Sequence, residues 1–253
     1  MKSPSKIPIE GLRQEPYRSV LCYPKPSEAE AQNRIEELAA LGVEALEFSG
    51  QASAFTVPVL GKGYVGVVVV AHARGQRYAL KMRRVDADRE SLEREAELLV
   101  KANSVEVGPK FLAVSRDFLL MQLVDGDLLA HWLETHRVKE VMRRVLADIL
   151  EQCWRLDEAG LDHGELSKAP KHLLMDKSGK PFVVDFETAS VERRVANVTA
   201  VSQFLFQGKS DAAKIIAETF GQIDMDKLVG ASRSYKKNRN RANFEELITV
   251  CLS

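Results

Sequence analysis

Lys81 stands in Tyr78-Ala79-Leu80-Lys81-Met82, a stretch that otherwise reads as strand. About twenty residues before it comes Leu60-Gly61-Lys62-Gly63-Tyr64-Val65-Gly66-Val67, a glycine-rich turn between two apolar runs. About a hundred residues after it comes Phe182-Val183-Val184-Asp185-Phe186. A glycine hairpin lets backbone N–H groups approach phosphate oxygens closely. A strand lysine can hold those phosphates, and a strand-end aspartate can hold their metal. In that order the three are what a chain needs to bind ATP and Mg2+. Gly61, Gly63 and Gly66 lie between strands rather than between a strand and a helix, which argues against a dinucleotide-binding turn. No Gly-Lys-Ser/Thr follows them, which argues against a Walker loop. Taken alone, the hairpin reads equally well as one whose glycines serve only turn geometry.

A strand lysine is by default a solvated residue. Glu95 shifts that balance. It falls within the apolar stripe Leu92, Ala96, Leu99 of the next helix, and a carboxylate aimed at a core face is costly unless paired. Lys81 is its natural partner, and the pair would hold the lysine for the α- and β-phosphates.

Elements must position these groups. Residues 1–26, with Pro4, Pro8, Pro16, Pro24 and Pro26, read as an irregular arm, partly ordered against the body. Ser27-Glu28-Ala29-Glu30 is a capping box opening a helix with Ala31, Ile35, Leu38 and Leu41 on one face, closed by Gly42. Strands are expected at Val43–Gly50, Phe55–Leu60, Val65–Ala73 and Arg77–Arg84, the last two joined by an Arg74-Gly75 turn. A helix over Asp88–Asn103 and strands at Phe111–Val114 and Phe118–Leu123 complete a small antiparallel sheet. Asp125-Gly126 marks a hinge. Beyond it the pattern is helical: Leu128–His136, then Val138–Ala159 with Val141, Val145, Ile149, Cys153 and Leu156 at helical spacing and Gly160 at its end. A hairpin of His172–Met175 and Pro181–Phe186 follows, and helices are expected from Val195 on. Sheet first and helices second gives an α+β protein in two lobes. Three segments are expected: an N-terminal arm and helix extension at 1–50, one lobe at 51–124 and the other at 125–253.

From Leu60 to Phe186 the motif order resembles the protein-kinase-like superfamily. The middle motif, His163-Gly164-Glu165-Leu166-Ser167-Lys168, directly follows the long helix, as a kinase catalytic loop does. It is most similar to the short atypical kinases of the RIO type and to the kinase subunit of the KEOPS complex. It is also similar to a set of archaeal proteins regarded as Ser/Thr kinases, with a His-Gly-Glu loop and an Asp-Phe-Glu end. The resemblance implies a two-lobed protein-kinase-like fold with an antiparallel-sheet N-lobe and a reduced helical C-lobe. It implies that Glu165 takes the catalytic aspartate's place and that Lys168 neutralises the transferred phosphate. Asp185 would bind Mg2+, and Met121 through Val124, with Met121 and Leu123 among them, would form the hinge strand against adenine.

The chain departs from that pattern at several positions. Glu165 is one methylene longer than aspartate. Pro170 stands where a metal-binding asparagine is expected, and His172 takes that place after a two-residue insertion. Imidazole is a poor ligand for Mg2+ and suits Mn2+ better. Glu187 replaces the glycine of Asp-Phe-Gly, no Ala-Pro-Glu follows, and 67 residues remain after Phe186. The usual peptide-docking platform is therefore expected to be missing. Two alternatives to an active protein kinase stay open: a nucleotide-binding pseudokinase scaffold, and a kinase-fold ATPase or small-molecule kinase.

The 36 basic and 36 acidic residues balance, so whole-chain charge gives no case for nucleic acid or an anionic membrane. Arg233–Arg241 holds five basic residues in nine positions with Tyr235 among them. It reads as a solvated face, with an RNA or acidic-partner patch as its alternative. Three dispersed cysteines without metal spacing suit a reducing cytoplasm. The basic, proline-punctuated N-terminus shows no signal pattern, and the longest apolar run, Val67–Ala71, is too short to span a bilayer. Trp132 and Trp154 read as packing residues, and His72, His131 and His136 have no metal-like spacing.

Overall fold

The N-terminal half of the chain is organised around one sheet. A computed structural model describes residues 5–253, so Pro4 and the rest of 1–4 lie outside the described residues. β1 (Ser5–Pro8) leads through a 3-10 turn at Ile9–Arg13 to α1 (Tyr17–Leu21) and α2 (Glu28–Ala40). β2 (Val43–Phe48), β3 (Ala52–Ala54), β4 (Val57–Val59), β5 (Gly61–Lys62), β6 (Gly66–Ala73) and β7 (Gln76–Arg83) follow. Then come α3 (Glu93–Asn103), β8 (Phe111–Val114) and β9 (Phe118–Gln122). The antiparallel sheet runs β1-β2-β6-β7-β9-β8, with β5 added to β6, while β3 and β4 form a separate hairpin. Its apolar face carries Leu46, Val67, Val69, Leu80 and Phe118, onto which Ile35 and Leu38 of α2 pack. The turn joining β6 and β7 places Arg74 and Gly75 at φ 51° and 73°, the pair of left-handed residues a tight hairpin needs.

The segment read as an irregular arm is instead built into this sheet. β1 pairs with β2 over four residues, and Ile9, Leu12, Val20, Leu21 and Cys22 are buried. Arg34 of α2 is fully buried and clasps three elements at once. It donates to the carbonyls of Leu21 at 2.9 Å and Arg83 at 2.7 Å, and it pairs with Glu30 at 2.6 Å and Asp117 at 3.3 Å. Asp117 also pairs with Arg83 at 2.5 Å. Two buried guanidiniums thus meet two carboxylates, the balance that buried charge requires.

The C-terminal half has β10 (Gly126–Leu128), α4 (Leu129–Thr135), α5 (Lys139–Glu158), β11 (Leu173–Asp176) and β12 (Pro181–Val183). α6 (Asn197–Ser202) runs into a π-helical turn at Gln203–Gln207, and α7 (Asp211–Phe220), α8 (Met225–Lys237) and α9 (Arg241–Leu252) complete the chain. β10, β11 and β12 form an antiparallel sheet. α5 buries Met142, Val145, Ile149, Cys153 and Leu156, and Gly160 follows at φ 65°. By contacts the chain divides into unit 1, residues up to Glu97 with Lys110–Leu123, and unit 2, Leu98–Pro109 with Val124–Ser253. Among the described residues no helix is long and apolar enough to cross a membrane. Cys22, Cys153 and Cys251 are free and buried.

Three expected elements differ. The strand expected at Phe55–Leu60 is broken, because Phe55 turns the chain at φ 52° and its neighbours form the β3–β4 hairpin. The helix expected from Asp88 starts at Glu93. Residues before it are engaged elsewhere: Arg83 donates to the Arg89 carbonyl, and the Leu92 amide donates to the Arg116 carbonyl. The second hairpin strand ends at Val183 rather than Phe186, because Asp185 adopts φ 70°, a left-handed conformation that an extended ladder cannot contain. His172 correspondingly stands just before β11, and its carbonyl accepts from the Val184 amide.

Candidate functional site

In unit 1, β7 runs antiparallel between β6 and β9, so Lys81 lies opposite Val68 on one side and Leu119 on the other. Its side chain is 7% exposed and that of Glu95 4%. The ammonium donates to both carboxylate oxygens of Glu95 at 2.8 Å. The core-facing glutamate and the strand lysine thus satisfy one another. Gly66 starts β6 directly beside them. A Cβ there would lie 2.9 Å from the Met82 carbonyl oxygen and 3.0 Å from Lys81 Cγ, so only glycine permits this approach.

Gly61 and Gly63 have a different reason to be glycine. Neither has a left-handed backbone, and a Cβ on either would make only ordinary contacts among the described residues, the nearest at 3.9 and 3.8 Å. The protein's own packing does not require them, whereas a phosphate brought against the backbone would. Gly63 is fixed by its amide, which donates to the Gly66 carbonyl, and by its carbonyl, which accepts from Arg84 at 3.2 Å. Met121 lies in β9, and Leu123 follows that strand; both are half-buried.

Tyr23, which no motif marks, is tied to this hairpin. Lys62 Nζ lies 5.6 Å and the Arg84 guanidinium 5.2 Å from its ring centre, and its carbonyl accepts from Val85. It is distant in sequence and lies within the proline-punctuated stretch, so no periodicity marks it.

In unit 2, the loop after α5 carries Glu165, and a 3-10 turn at Leu166–Lys168 carries Lys168, whose amide donates to the Glu165 carbonyl. Lys168 is exposed. His172 is buried, with Nε2 3.2 Å from Glu165 and 3.7 Å from Asp185. Three residues separated in sequence are therefore brought together. The two carboxylates are partly open, at 45% and 41% exposed. His172 Nδ1 is buried and has no hydrogen-bond partner among the described residues. Glu187 is half-buried beyond Phe186.

His163 heads the same loop and is fully buried. Burial pushes its pKa down to about 4, so the ring is neutral near pH 7. Its Nε2 lies 3.0 Å from the Val184 carbonyl oxygen. A carbonyl only accepts, so Nε2 carries the proton. The motif His163-Gly164-Glu165 displayed this residue, yet the link from loop to Val184 emerges only from the fold.

Among the described residues no group of three His, Cys, Asp or Glu side chains forms a metal cage. Mg2+ in phosphate chemistry needs none, since it takes one or two carboxylates and completes its shell with water and phosphate oxygens. The open carboxylates of Asp185 and Glu165 are hard oxygen donors of that kind.

Arg233–Arg241 spans the end of α8 and the start of α9. Tyr235 is buried on Trp154 and Phe244, and Arg241 pairs with Glu151 and Glu245. Trp132 packs against His136.

An antiparallel sheet carrying a buried lysine–glutamate pair beside a glycine hairpin, followed by helices with an acidic loop and a post-strand aspartate, defines the protein-kinase-like class. Within it, the chain belongs to the RIO domain family, which matches residues 69–200. That membership carries an atypical kinase-like function of ATP binding and phosphate transfer. Over 119 residues the chain is also 29% identical to an uncharacterized protein of Methanocaldococcus jannaschii, a match covering 46% of this chain and 99% of that protein.

Proposed function

We propose that this chain is an atypical Ser/Thr protein kinase that moves the γ-phosphate of ATP to a hydroxyl in a metal-dependent reaction. The observation that carries this reading is the buried Lys81–Glu95 pair, an ammonium held by both carboxylate oxygens beside Gly66. Lys81 holds the α- and β-phosphates, Glu95 fixes Lys81, and the backbone at Gly61, Gly63 and Gly66 covers the phosphate chain. Met121 and Leu123 contact adenine. Glu165 orients the acceptor hydroxyl and takes its proton, and Lys168 neutralises charge on the transferred group. Asp185 is the metal-holding carboxylate, with His172 beside it. A bound Mg2+ or Mn2+ would supply charge neutralisation at the β- and γ-phosphate oxygens. In this reading residues 51–124 are the ATP-holding lobe, 125–253 the acceptor lobe, and 1–50 an extension supporting the first. The free, buried cysteines accord with cytoplasmic work.

A second reading, a nucleotide-binding pseudokinase, draws on His172. Its Nε2 sits within 4 Å of both carboxylates, so the carboxylates proposed to hold a metal already share a partner within the chain. Incubation with γ-labelled ATP and either Mg2+ or Mn2+, following label in protein and in free phosphate, separates the two. Metal-dependent label transfer is expected. ATP binding with no transfer under either metal would replace the kinase by the pseudokinase.

The glycines give a sharper check on the nucleotide. Gly63→Ala has room for its methyl group, so its melting temperature should match wild type while ATP binding weakens about tenfold. Gly66→Ala should lower both, because its methyl group strikes the Met82 carbonyl. Equal ATP affinity in wild type and Gly63→Ala, by titration calorimetry, would remove the hairpin from the phosphate site.

A further inference from the structure

We infer that Arg193, Arg194 and Arg239 form a docking pocket for an acidic segment of a polypeptide acceptor. The inference rests on the phosphotransfer reading and names the class of substrate for it.

The three guanidiniums line a cavity of about 400 Å3 within unit 2. Two are pre-oriented. Arg193 donates through Nε to Asp162 at 2.9 Å and through Nη2 to the Thr188 carbonyl at 2.5 Å. Arg194 donates through Nη2 to the Lys236 carbonyl at 2.6 Å. Each guanidinium has five donors in a fixed fork, so this anchoring leaves donors for a ligand and removes part of the entropy cost of ordering them. Arg239 is exposed and, among the described residues, makes no hydrogen bond or salt bridge.

The charge is local, since the whole chain balances at 36 against 36. Of the carboxylates in the lining, Asp157 is buried and accepts from Asn197 and Tyr235, which leaves Glu158 exposed. With Arg193 already paired to Asp162 at 2.9 Å, Arg194 and Arg239 still outnumber the one exposed carboxylate, which favours an anionic ligand. Arg recognises carboxylates through paired N–H donors.

The pocket is fixed to the loop that carries Glu165. Asp162 and Ser190 exchange backbone hydrogen bonds, and the Thr188 hydroxyl donates to the His163 carbonyl at 3.0 Å. Gly164, at φ 91°, has no room for a Cβ because the Arg193 guanidinium rests against it. A chain seated on these arginines is therefore anchored to the same piece of structure as the proposed proton acceptor.

A polypeptide fits better than a nucleic acid. Single-stranded RNA is held by exposed aromatic rings that stack its bases. Tyr235, the aromatic residue of this basic stretch, is 1% exposed. Val191, 43% exposed, gives the pocket an apolar wall suited to a side chain.

The test uses fluorescein-labelled peptides in which one serine is flanked by three glutamates or by three glutamines, with binding to the full chain read by anisotropy without ATP. Wild type is expected to bind the glutamate peptide about tenfold more tightly. Arg239→Glu should abolish that preference, and Arg239→Gln should reduce it, both with little change in melting temperature because Arg239 is exposed and makes no hydrogen bond or ion pair among the described residues. Equal affinity for the two peptides in wild type, or an undiminished preference in Arg239→Glu, overturns the pocket. So does an oligouridine RNA that binds more tightly than the glutamate peptide and loses affinity in Arg239→Glu, which would make the surface one for nucleic acid. If the glutamate peptide binds as expected but accepts no label from ATP, the pocket stands and the kinase reading falls. Label transfer with no glutamate preference in binding does the reverse.

Discussion

Asp185→Asn is expected to lower kcat for phosphate transfer by about 10^3-fold and to shift the melting temperature by less than about 2 °C. Asp185 sits at φ 70° and is 41% exposed on its side chain. Asparagine tolerates that left-handed backbone as well as aspartate does, whereas alanine would add strain to any loss of chemistry. The substitution therefore changes the charge of the proposed metal-holding carboxylate while leaving the turn after β12 intact. Steady-state transfer from labelled ATP, read beside a thermal melt, checks both halves. Retained turnover in a folded Asp185→Asn protein would take this residue out of the metal site.

Lys81→Met should fail in two ways, and a second substitution separates them. Its loss leaves the Glu95 carboxylate buried at 4% side-chain exposure without its ammonium. Breaking a buried ion pair by removing one partner costs about 3–5 kcal/mol, so the protein should melt early. Adding Glu95→Leu removes the stranded charge, and an apolar pair of similar volume is often no less stable than the ion pair it replaces. The double variant should recover most of the stability and none of the phosphate transfer. Denaturant melts of the three proteins, with label transfer measured on each, test this. A double variant as unstable as Lys81→Met would mean that the single change had damaged packing rather than stranded a charge, and an active one would free Lys81 from phosphate binding.

That pair also marks what the sequence made legible. A carboxylate in an apolar helical stripe has few physical solutions, so Glu95 pointed to Lys81 before any fold was known. β6 and β7 were equally readable, because valine runs flanking Arg74-Gly75 leave little choice but a hairpin. The N-terminal segment was hidden for the opposite reason. Prolines interrupt its periodicity, and its order comes from partners far away: β2 for β1, and Arg83 and Asp117 for Arg34. Asp185 lay two residues beyond the strand expected to hold it, since a positive φ at an aspartate leaves no trace in composition. Tyr235 misled as a surface residue of a basic stretch, because its hydroxyl is satisfied by Asp157 at 2.9 Å within the core.

The Arg34 clasp bears on how the family resemblance should be handled at the bench. The region shared with RIO domains begins inside β6 and ends inside α6. Excised on its own, it would keep Arg83 and Asp117 but lose the guanidinium lodged against them, together with β1, β2 and β5 of the sheet. The recognisable stretch is thus smaller than the set of residues that pack against one another around Arg34, and a portable fragment would have to carry α2 with it.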